Sequence, residues 1–173
     1  MLELILGGAR SGKSALAERR AIESGLEVCY LATAEGRDGE MAARIAHHQA
    51  RRPSHWQTIE EPIALAAVLR RESRAGRLIL VDCLTLWLSN LLACDVPDEA
   101  RFTREREDLL TTLPTLPGHT ILVSNELGMG IVPLGELSRR FVDEAGWLNQ
   151  AVAERCQRVT FVAAGLPLVL KTP

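Results

Sequence analysis

The feature that most constrains this chain is a glycine-rich octapeptide, GGARSGKS, at positions 7–14. It fits the pattern G-x-x-x-x-G-K-[ST] and lies between a short apolar run, LELIL, and a segment with helical periodicity. Glycines allow the backbone to wrap so closely that several N–H groups and a helix N-terminus meet the oxygens of a phosphate. The chain must therefore bring together a strand, a phosphate loop (P-loop) and a helix, which predicts an α/β fold.

Each residue type in this loop has an expected task. We predict that the loop holds the triphosphate of a nucleotide through Gly7, Gly8, Ala9, Arg10, Ser11, Gly12, Lys13 and Ser14. The Lys13 ammonium is expected to neutralise the β and γ phosphates, and the Ser14 hydroxyl to bind Mg²⁺. The best candidate for the carboxylate that completes the metal site is Asp82, at the end of the apolar run LILVD. The alternative is that Asp82 caps the following helix.

Apolar runs alternate with helical patterns along the rest of the chain. The runs are LELIL, VCYLAT, LILVDC, TILVSN and VTFVAA, followed by a shorter one, LVLK. Continuous apolar strands separated by helices are typical of a mainly parallel sheet covered on both faces, and we expect the last run to form an antiparallel edge strand. Helices are predicted at 12–24, 39–51, 62–74, 84–93, 97–112 and 134–155. The prediction is one P-loop NTPase-like domain over residues 1–173.

Composition narrows the class of protein. A length of 173 residues, 47% of them hydrophobic, suits one domain with a sizeable core. A net charge of -2 argues against general electrostatic binding of nucleic acid or a membrane surface. No window reaches the ~20 apolar residues of a membrane span, and the first residues lack a basic start. The cysteines lack metal-ligand spacing, which suggests reduced thiols, and we expect a soluble cytoplasmic protein.

A second distinctive segment is RIAHHQARRPSHW, which holds three of the four histidines. On a helix, one cationic face would carry Arg44, His48, Arg51 and Arg52. His47 would lie ~100° away from His48, so spacing does not decide which imidazole acts. One interpretation is a solvated basic face. The other is a nucleophile: a neutral imidazole attacks the α phosphate of a nucleoside triphosphate, pyrophosphate leaves, and arginines offset the charge.

Five motifs, in chain order, resemble the bifunctional adenosylcobinamide kinase/adenosylcobinamide-phosphate guanylyltransferase family of cobalamin biosynthesis. They are GGARSGKS, LATA, EMAARIAHHQARRPSHW, VDCLTLWLSN and NELGMGIVP. The resemblance implies that a nucleoside triphosphate, GTP or ATP with Mg²⁺, phosphorylates the hydroxyl of the aminopropanol arm of adenosylcobinamide. GTP then guanylylates that phosphate, giving adenosylcobinamide-GDP and pyrophosphate. The resemblance also implies a homotrimer.

The same resemblance assigns residues. It implies a GMP-histidine intermediate at His48. The other expected catalytic residue is Lys13, in the phosphate loop. Outside the loop, the implied nucleotide-binding positions are Ala32, Thr33, Ala34, Gln49, Ala50, Arg51, Arg52, Glu60 and Asp82. Some family members carry glutamate in place of Asp82, and either carboxylate suits a metal ion or a guanosine hydroxyl. His47 is expected to orient its neighbour or to bind phosphate.

The motif NELGMGIVP begins at the carboxyl end of a predicted strand, where ligand sites of open α/β sheets collect. Asn125 and Glu126 are therefore candidates for contacting substrate; the alternative is a loop that only shapes the core or the trimer. Two histidines are expected to be structural or incidental: His55 in a turn and His119 before a strand. The tryptophans on apolar helical faces, Trp87 and Trp147, are expected to form core or subunit contacts.

Two other functions stay open at this point. The first is a monofunctional P-loop kinase for a small metabolite, in which the histidine helix is only a basic lid; such an enzyme releases no pyrophosphate from GTP. The second is a nucleotide-switch module that hydrolyses GTP slowly to change partners. The chain has no evident NKxD-like motif for guanine specificity, which disfavours the switch.

Overall fold

The computed structural model describes residues 1–34, 53–92 and 98–173. Its sheet contains seven strands: β1 (Leu2–Gly7), β2 (Glu27–Ala32), β3 (Gln57–Glu60), β4 (Arg77–Asp82), β5 (His119–Asn125), β6 (Arg158–Ala163) and β7 (Leu166–Lys171). The helices of the described ranges are α1 (Lys13–Glu23), α2 (Leu65–Glu72), α3 (Leu84–Leu92), α4 (Glu99–Thr112) and α5 (Glu136–Arg155), with a 3-10 turn at Leu113–Thr115.

The strands are ordered β3-β2-β4-β5-β1-β6-β7. All neighbours pair in parallel except β7, which is antiparallel to β6 at the edge of the sheet. This confirms the predicted fold class, including the antiparallel edge strand. Because the carboxyl ends of parallel strands share one edge, the ends of β1, β4 and β5 lie side by side, next to the phosphate loop.

Successive residues of the central strands pack on opposite faces of the sheet. Leu4, Leu31 and Val81 belong to the core beneath α2 to α5, which also contains the buried Trp87. Ile5 and Leu80 point the other way, into the core beneath α1. Each fully buried aliphatic side chain of this kind contributes roughly 1.5–3 kcal/mol. Burial on both faces explains why these strands read as continuous apolar runs. None of the described helices is long and apolar enough to cross a membrane.

Strand β3 was not predicted. Its sequence, QTIE, has a single apolar residue, Ile59, and its other side chains are exposed. The strand forms because it pairs in parallel with β2, with Cys29 opposite Gln57 and Ala32 opposite Glu60. Such an edge strand depends on a partner that is distant in sequence, so local periodicity gives no signal for it.

Three predicted helices begin two or three residues later than expected; the one predicted at 97–112 starts at Glu99. The helix predicted at 62–74 starts at Leu65, because the Glu61 carboxylate accepts hydrogen bonds from the N–H groups of Ile63 and Ala64 at 2.9 and 2.8 Å and holds a turn there. The helix predicted at 134–155 starts at Glu136. The helix predicted at 39–51 lies outside the described residues.

An ion-pair network centred on a buried arginine lies at the amino-terminal end of the parallel strands, opposite the loop. Arg77, only 4% exposed, donates to Glu72 at 2.6 Å, to Glu27 at 3.0 Å and to Gln57. Arg74 also donates to Glu27, at 2.7 Å. This network joins the first residues of β2, β3 and β4, so it stabilises the edge that the site does not use.

Arg77→Met is expected to lower the free energy of unfolding at pH 7 by about 2 kcal/mol, because Glu72 keeps only Arg71 as a partner and Glu27 and Gln57 lose a buried donor. Hydrogen bonds from Arg71, and then from Arg77, lower the pKa of Glu72 below its ordinary value of 4.5. The stabilisation is therefore present above that value and is lost as the pH falls through the lower, folded-state pKa. Urea unfolding at pH 7 measures the loss of stability, and unfolding curves in steps from pH 6 to pH 3 measure its pH dependence.

The matched control is Arg19→Met, because Arg19 pairs with Glu23 on the exposed surface of α1 at 4.0 Å. Surface pairs of this kind contribute roughly 0–1 kcal/mol. Equal losses of stability in the two variants would contradict the role assigned to Arg77.

Candidate active site

The loop of residues 7–14 leaves β1 and enters α1, as predicted. Gly12 precedes the helix with φ 97°, and Arg10 also has a positive φ, of 56°. The Ser11 N–H donates to the Gly8 carbonyl at 3.2 Å, and the Lys13 ammonium donates to the same oxygen at 3.2 Å. The ammonium therefore lies across the loop. Ser14 is half-buried in the first turn of α1.

Two glycines of this loop are required by close contacts. A Cβ on Gly7 would lie 2.5 Å from both the Ser11 hydroxyl and the Val162 carbonyl. A Cβ on Gly12 would lie 3.2 Å from the Cα of Gly165, in a backbone conformation that side chains rarely adopt. The Gly165 N–H also donates to the Ser11 carbonyl at 2.8 Å. The turn between β6 and β7 therefore holds the loop in place.

Asp82 ends β4, and its carboxylate is fixed from the neighbouring strand. The Tyr30 hydroxyl donates to Asp82 Oδ2 at 3.0 Å. No hydrogen bond from the first turn of α3 to this carboxylate occurs among the described residues, so the helix-cap alternative gains no support. The adjacent Cys83 thiol is buried, and burial followed by the negative charge of Asp82 raises its pKa to about 12. This thiol therefore stays protonated and is a poor nucleophile.

Three of the predicted nucleotide-binding positions form one row across the sheet. Ala32, at the end of β2, lies opposite Glu60 of β3 on one side and opposite Asp82 of β4 on the other. The fold thus brings two carboxylates that are distant in sequence to the same edge as the loop. Ala34, two residues further on, is half-buried.

Thr33 is fully buried, and its polar groups bond within the protein. Its hydroxyl donates to the Cys83 carbonyl at 2.7 Å and accepts from the Cys83 N–H at 2.8 Å. The Asn90 amide donates to the Thr33 carbonyl at 2.8 Å. These hydrogen bonds connect the end of β2 to the end of β4 and to α3. Thr33 would therefore affect a nucleotide site indirectly, by holding the neighbouring residues in position.

Asn125 ends β5 and Glu126 follows it, and both lie beside Gly7, the first residue of the phosphate loop. Asn125 pairs with Gly7 in the register of β5 and β1, and the Glu126 N–H donates to the Gly7 carbonyl at 3.1 Å. The Asn125 N–H donates to the Thr85 hydroxyl at 2.7 Å. The Glu126 carboxylate accepts from the Gly128 N–H at 2.6 Å and shapes an exposed turn.

Sequence reasoning missed the side chains that position these groups, namely Tyr30, Thr85, Asn90 and Asn149. Thr85 and Asn90 do lie in the motif VDCLTLWLSN, directly after β4, which is the one signal that could have identified them. Tyr30 and Asn149 sit in a strand and a helix whose patterns indicate only core packing.

The predicted histidine site lies outside the described residues: His47, His48, Gln49, Ala50, Arg51 and Arg52 belong to the stretch between 34 and 53. These assignments stay predictions. His55 lies in an exposed turn after Pro53, as expected. His119 is the first residue of β5, and burial, followed by the charge of the N-terminus, lowers its pKa, so it is neutral at pH 7.

The two tryptophans differ from each other. Trp87 is fully buried in the core, and its indole N–H donates to the Ile63 carbonyl at 2.7 Å, which confirms a core role. Trp147, on α5, is 57% exposed, so it is not a core residue. The alternative, a contact between subunits, stays a prediction.

Comparison with known proteins identifies close relatives over nearly the whole chain. The family model described as "Cobinamide kinase / cobinamide phosphate guanyltransferase" matches residues 3–170. The bifunctional adenosylcobalamin biosynthesis protein CobP of Pseudomonas aeruginosa is 70% identical over 171 residues, covering 99% of this chain and 98% of that protein. Two proteins named bifunctional adenosylcobalamin biosynthesis protein CobU cover 99% of this chain and 100% of their own length, with 37% identity in Escherichia coli and 38% in Salmonella typhimurium.

Solved structures of low identity share the fold. The RadB recombinase aligns with a TM-score of 0.51 and 16% identity, over 92% of this chain and 73% of that one. A protein from Pyrococcus horikoshii OT3 aligns with a TM-score of 0.55 and 9% identity, over 99% of this chain and 86% of that one. These similarities concern the arrangement of the sheet and its helices only.

Proposed function

This chain belongs to the cobinamide kinase / cobinamide phosphate guanyltransferase family, and we propose that it catalyses both reactions itself. In the first, a nucleoside triphosphate phosphorylates the hydroxyl of the aminopropanol arm of adenosylcobinamide. In the second, GTP transfers GMP to that phosphate, giving adenosylcobinamide-GDP and pyrophosphate. One observation carries the proposal: the phosphate loop opens onto a sheet edge lined with polar groups, in a chain that matches this family from residue 3 to residue 170.

The length of that edge suits a nucleoside triphosphate. From β1 to β3 there are four strand spacings of about 4.8 Å, roughly 19 Å in all. A triphosphate held by the loop would lie near the ends of β5 and β4 and direct its nucleoside towards the ends of β2 and β3. Glu60, at the end of β3, would then lie near the ribose or the base, where a carboxylate accepts hydrogen bonds from hydroxyl and amino groups.

The residues present also fit Mg²⁺ bound with the nucleotide. Mg²⁺ commonly takes one or two protein oxygens together with phosphate and water. The Ser14 hydroxyl and the Asp82 carboxylate would hold it, and Tyr30 occupies only Oδ2 of that carboxylate. The ion supplies positive charge to the phosphate oxygens. The protein's own contribution there is the Lys13 ammonium and the backbone N–H groups of the loop.

For the guanylyl transfer we propose His48 as the nucleophile. Its imidazole nitrogen attacks the α phosphorus of GTP, and the electron pair of the broken P–O bond leaves with pyrophosphate. A phosphate oxygen of the corrinoid substrate then attacks the same phosphorus, the P–N bond breaks, and the imidazole is restored. Cys83, the thiol beside Asp82, does not compete for this task because it stays protonated and buried.

We also propose that the chain assembles as a homotrimer in the cytoplasm. Several large apolar side chains are exposed on the single chain, which is typical of an association surface: Met129, Ile131, Val132, Leu134 and Trp147. Leu134 and Ile131 are each 97% exposed. The free thiols of Cys29, Cys83 and Cys156 suit a reducing compartment. Sedimentation equilibrium tests the trimer, and a monomeric mass would contradict it.

The test of the function itself uses the unmodified protein and two assays. With Mg²⁺, adenosylcobinamide and ATP or GTP, we expect adenosylcobinamide phosphate, detected by chromatography. With adenosylcobinamide phosphate and GTP, we expect adenosylcobinamide-GDP and one pyrophosphate for each product molecule. Phosphorylation without pyrophosphate release would favour the monofunctional kinase, and a folded protein that forms neither product would contradict both proposals.

A further inference from the structure

We propose that the side-chain amide of Asn125 binds the hydroxyl that is phosphorylated, and is therefore a catalytic residue of the kinase step and not of guanylyl transfer. This inference rests on the proposed function. The position of Asn125 is its first support. The strand order β4-β5-β1 puts the end of β5 between Asp82 and the phosphate loop. Asn125 lies opposite Gly7, the first loop residue, and the next N–H donates to the Gly7 carbonyl at 3.1 Å.

The second support is that the main chain of Asn125 is held without help from its own side chain. Its N–H donates to the Thr85 hydroxyl of α3 at 2.7 Å, and its carbonyl accepts from the Asn149 amide of α5 at 3.1 Å. Thr85 and Asn149 are each only 6% exposed. Two helices therefore fix this residue, and the amide of Asn125 is not needed to shape the strand end.

The third support is the amide oxygen itself. Oδ1 of Asn125 is buried and has no hydrogen-bond partner within the described part of the chain. Buried acceptors are nearly always paired, so this oxygen calls for a donor that the described residues do not supply. The oxygens of a triphosphate carry no proton to donate at neutral pH, whereas the alcohol that accepts the phosphoryl group does. The geometry thus matches the acceptor substrate better than the nucleotide.

The chemistry follows from this contact. Oδ1 accepts a hydrogen bond from the alcohol. This contact orients a lone pair of the alcohol oxygen towards the γ phosphorus. The new bond forms between that oxygen and the γ phosphorus. The bond from the γ phosphorus to the β,γ-bridging oxygen breaks, and its electron pair leaves with the nucleoside diphosphate. The alcohol proton passes to solvent, because the loose transition state of phosphoryl transfer needs positioning more than a strong base.

The same contact would not assist the second reaction. Once the arm ends in a phosphate, the attacking atom is an anionic oxygen and not a hydroxyl. An acceptor such as Oδ1 has no proton to bind on such an atom. Loss of the amide should therefore separate the two activities, which a purely structural role of Asn125 would not do.

The experiment compares Asn125→Ala with the unmodified protein in both assays. For the alanine variant we expect kcat of phosphorylation to fall about 100-fold, the loss typical of a misplaced reactant, while KM for the nucleotide changes by less than about threefold. Guanylyl transfer to supplied adenosylcobinamide phosphate should also stay within about threefold. Asn125→Asp keeps an acceptor oxygen and is expected to recover at least about tenfold of the lost kcat, with a raised nucleotide KM because its charge repels phosphate.

Gln157→Ala is the matched control, because this amide accepts from the Leu2 N–H at 2.5 Å at the opposite end of β1. It should lower the melting temperature and leave both activities unchanged. The inference is overturned if Asn125→Ala retains its kinase kcat, if both activities of that variant fall together with the melting temperature, or if the aspartate variant recovers nothing. Absence of kinase activity in the unmodified protein would instead remove the proposed function, and the inference with it.

Discussion

His48→Ala is expected to abolish covalent labelling of the protein by GTP that carries its label at the α phosphate, while phosphorylation of adenosylcobinamide stays within about threefold. The reason is that an imidazole nucleophile displaces pyrophosphate and leaves a phosphoramidate, and alanine has no nitrogen to form that bond. The phosphoramidate is acid-labile and base-stable. Denaturing electrophoresis after acid and alkaline washes measures both its presence and its chemical nature.

Two histidine variants are the controls for this experiment. His47→Ala removes the neighbour in the pair, and His55→Ala removes an imidazole that lies in an exposed turn. His55→Ala should keep the label unchanged. His47→Ala should keep it as well, but form it more slowly, because His47 is expected to orient His48 or to bind phosphate. A label that survives in His48→Ala would assign the nucleophile to another residue. An unmodified protein that phosphorylates adenosylcobinamide but never carries label would leave a monofunctional kinase, in which the histidines and arginines of RIAHHQARRPSHW bind phosphate.

A GMP-histidine intermediate would explain how one phosphate loop serves both phosphoryl transfer and guanylyl transfer. The kinase step breaks a bond at the γ phosphorus, and guanylyl transfer breaks one at the α phosphorus. Both positions belong to a triphosphate held by the same loop, so the nucleotide would have to bind in two positions relative to His48. Asn125 and Asp82 lie at neighbouring strand ends beside that loop, which makes this edge suitable for the γ transfer.

The sequence predicts most of the sheet because burial on both faces leaves a strong pattern. The runs that became β1, β2, β4, β5 and β6 are continuous and apolar, and each packs alternately into the two cores. The phosphate loop was predictable for a different reason. Its tight contacts admit only glycine at Gly7, and the positive φ of Gly12 favours glycine as well.

Features that depend on partners distant in sequence were not predictable in the same way. Strand β3 has only Ile59 as an apolar signal and exists through its pairing with β2. The bonds from Thr33 to Cys83 and from Asn149 to Asn125 likewise join segments that only the strand order brings together. Local pattern predicts which residues follow a strand, but not which strand ends are neighbours.

Lys13→Met is expected to lower kcat of phosphorylation about 1,000-fold, because it removes the positive charge nearest the transferring phosphoryl group in a preorganised site. Guanylyl transfer should fall as well, since the β and γ phosphates that this ammonium neutralises become the leaving pyrophosphate. The fold should be little affected, because the hydrogen bond of Lys13 within the described residues is a single contact with the Gly8 carbonyl at 3.2 Å. Steady-state kinetics of both reactions, with thermal melting beside them, measure these effects.

The matched control is Lys171→Met, which removes the other lysine of the chain. Lys171 lies on the exposed edge strand β7, and its ammonium donates to the carbonyls of Ala153 and Glu154 at 3.1 and 3.0 Å. This variant loses the same charge without touching the loop, so both activities should remain. A Lys13→Met protein that kept more than about a tenth of the kinase kcat would contradict the role assigned to the loop lysine. Equal losses of activity in the two variants would instead show that catalysis depends on overall charge.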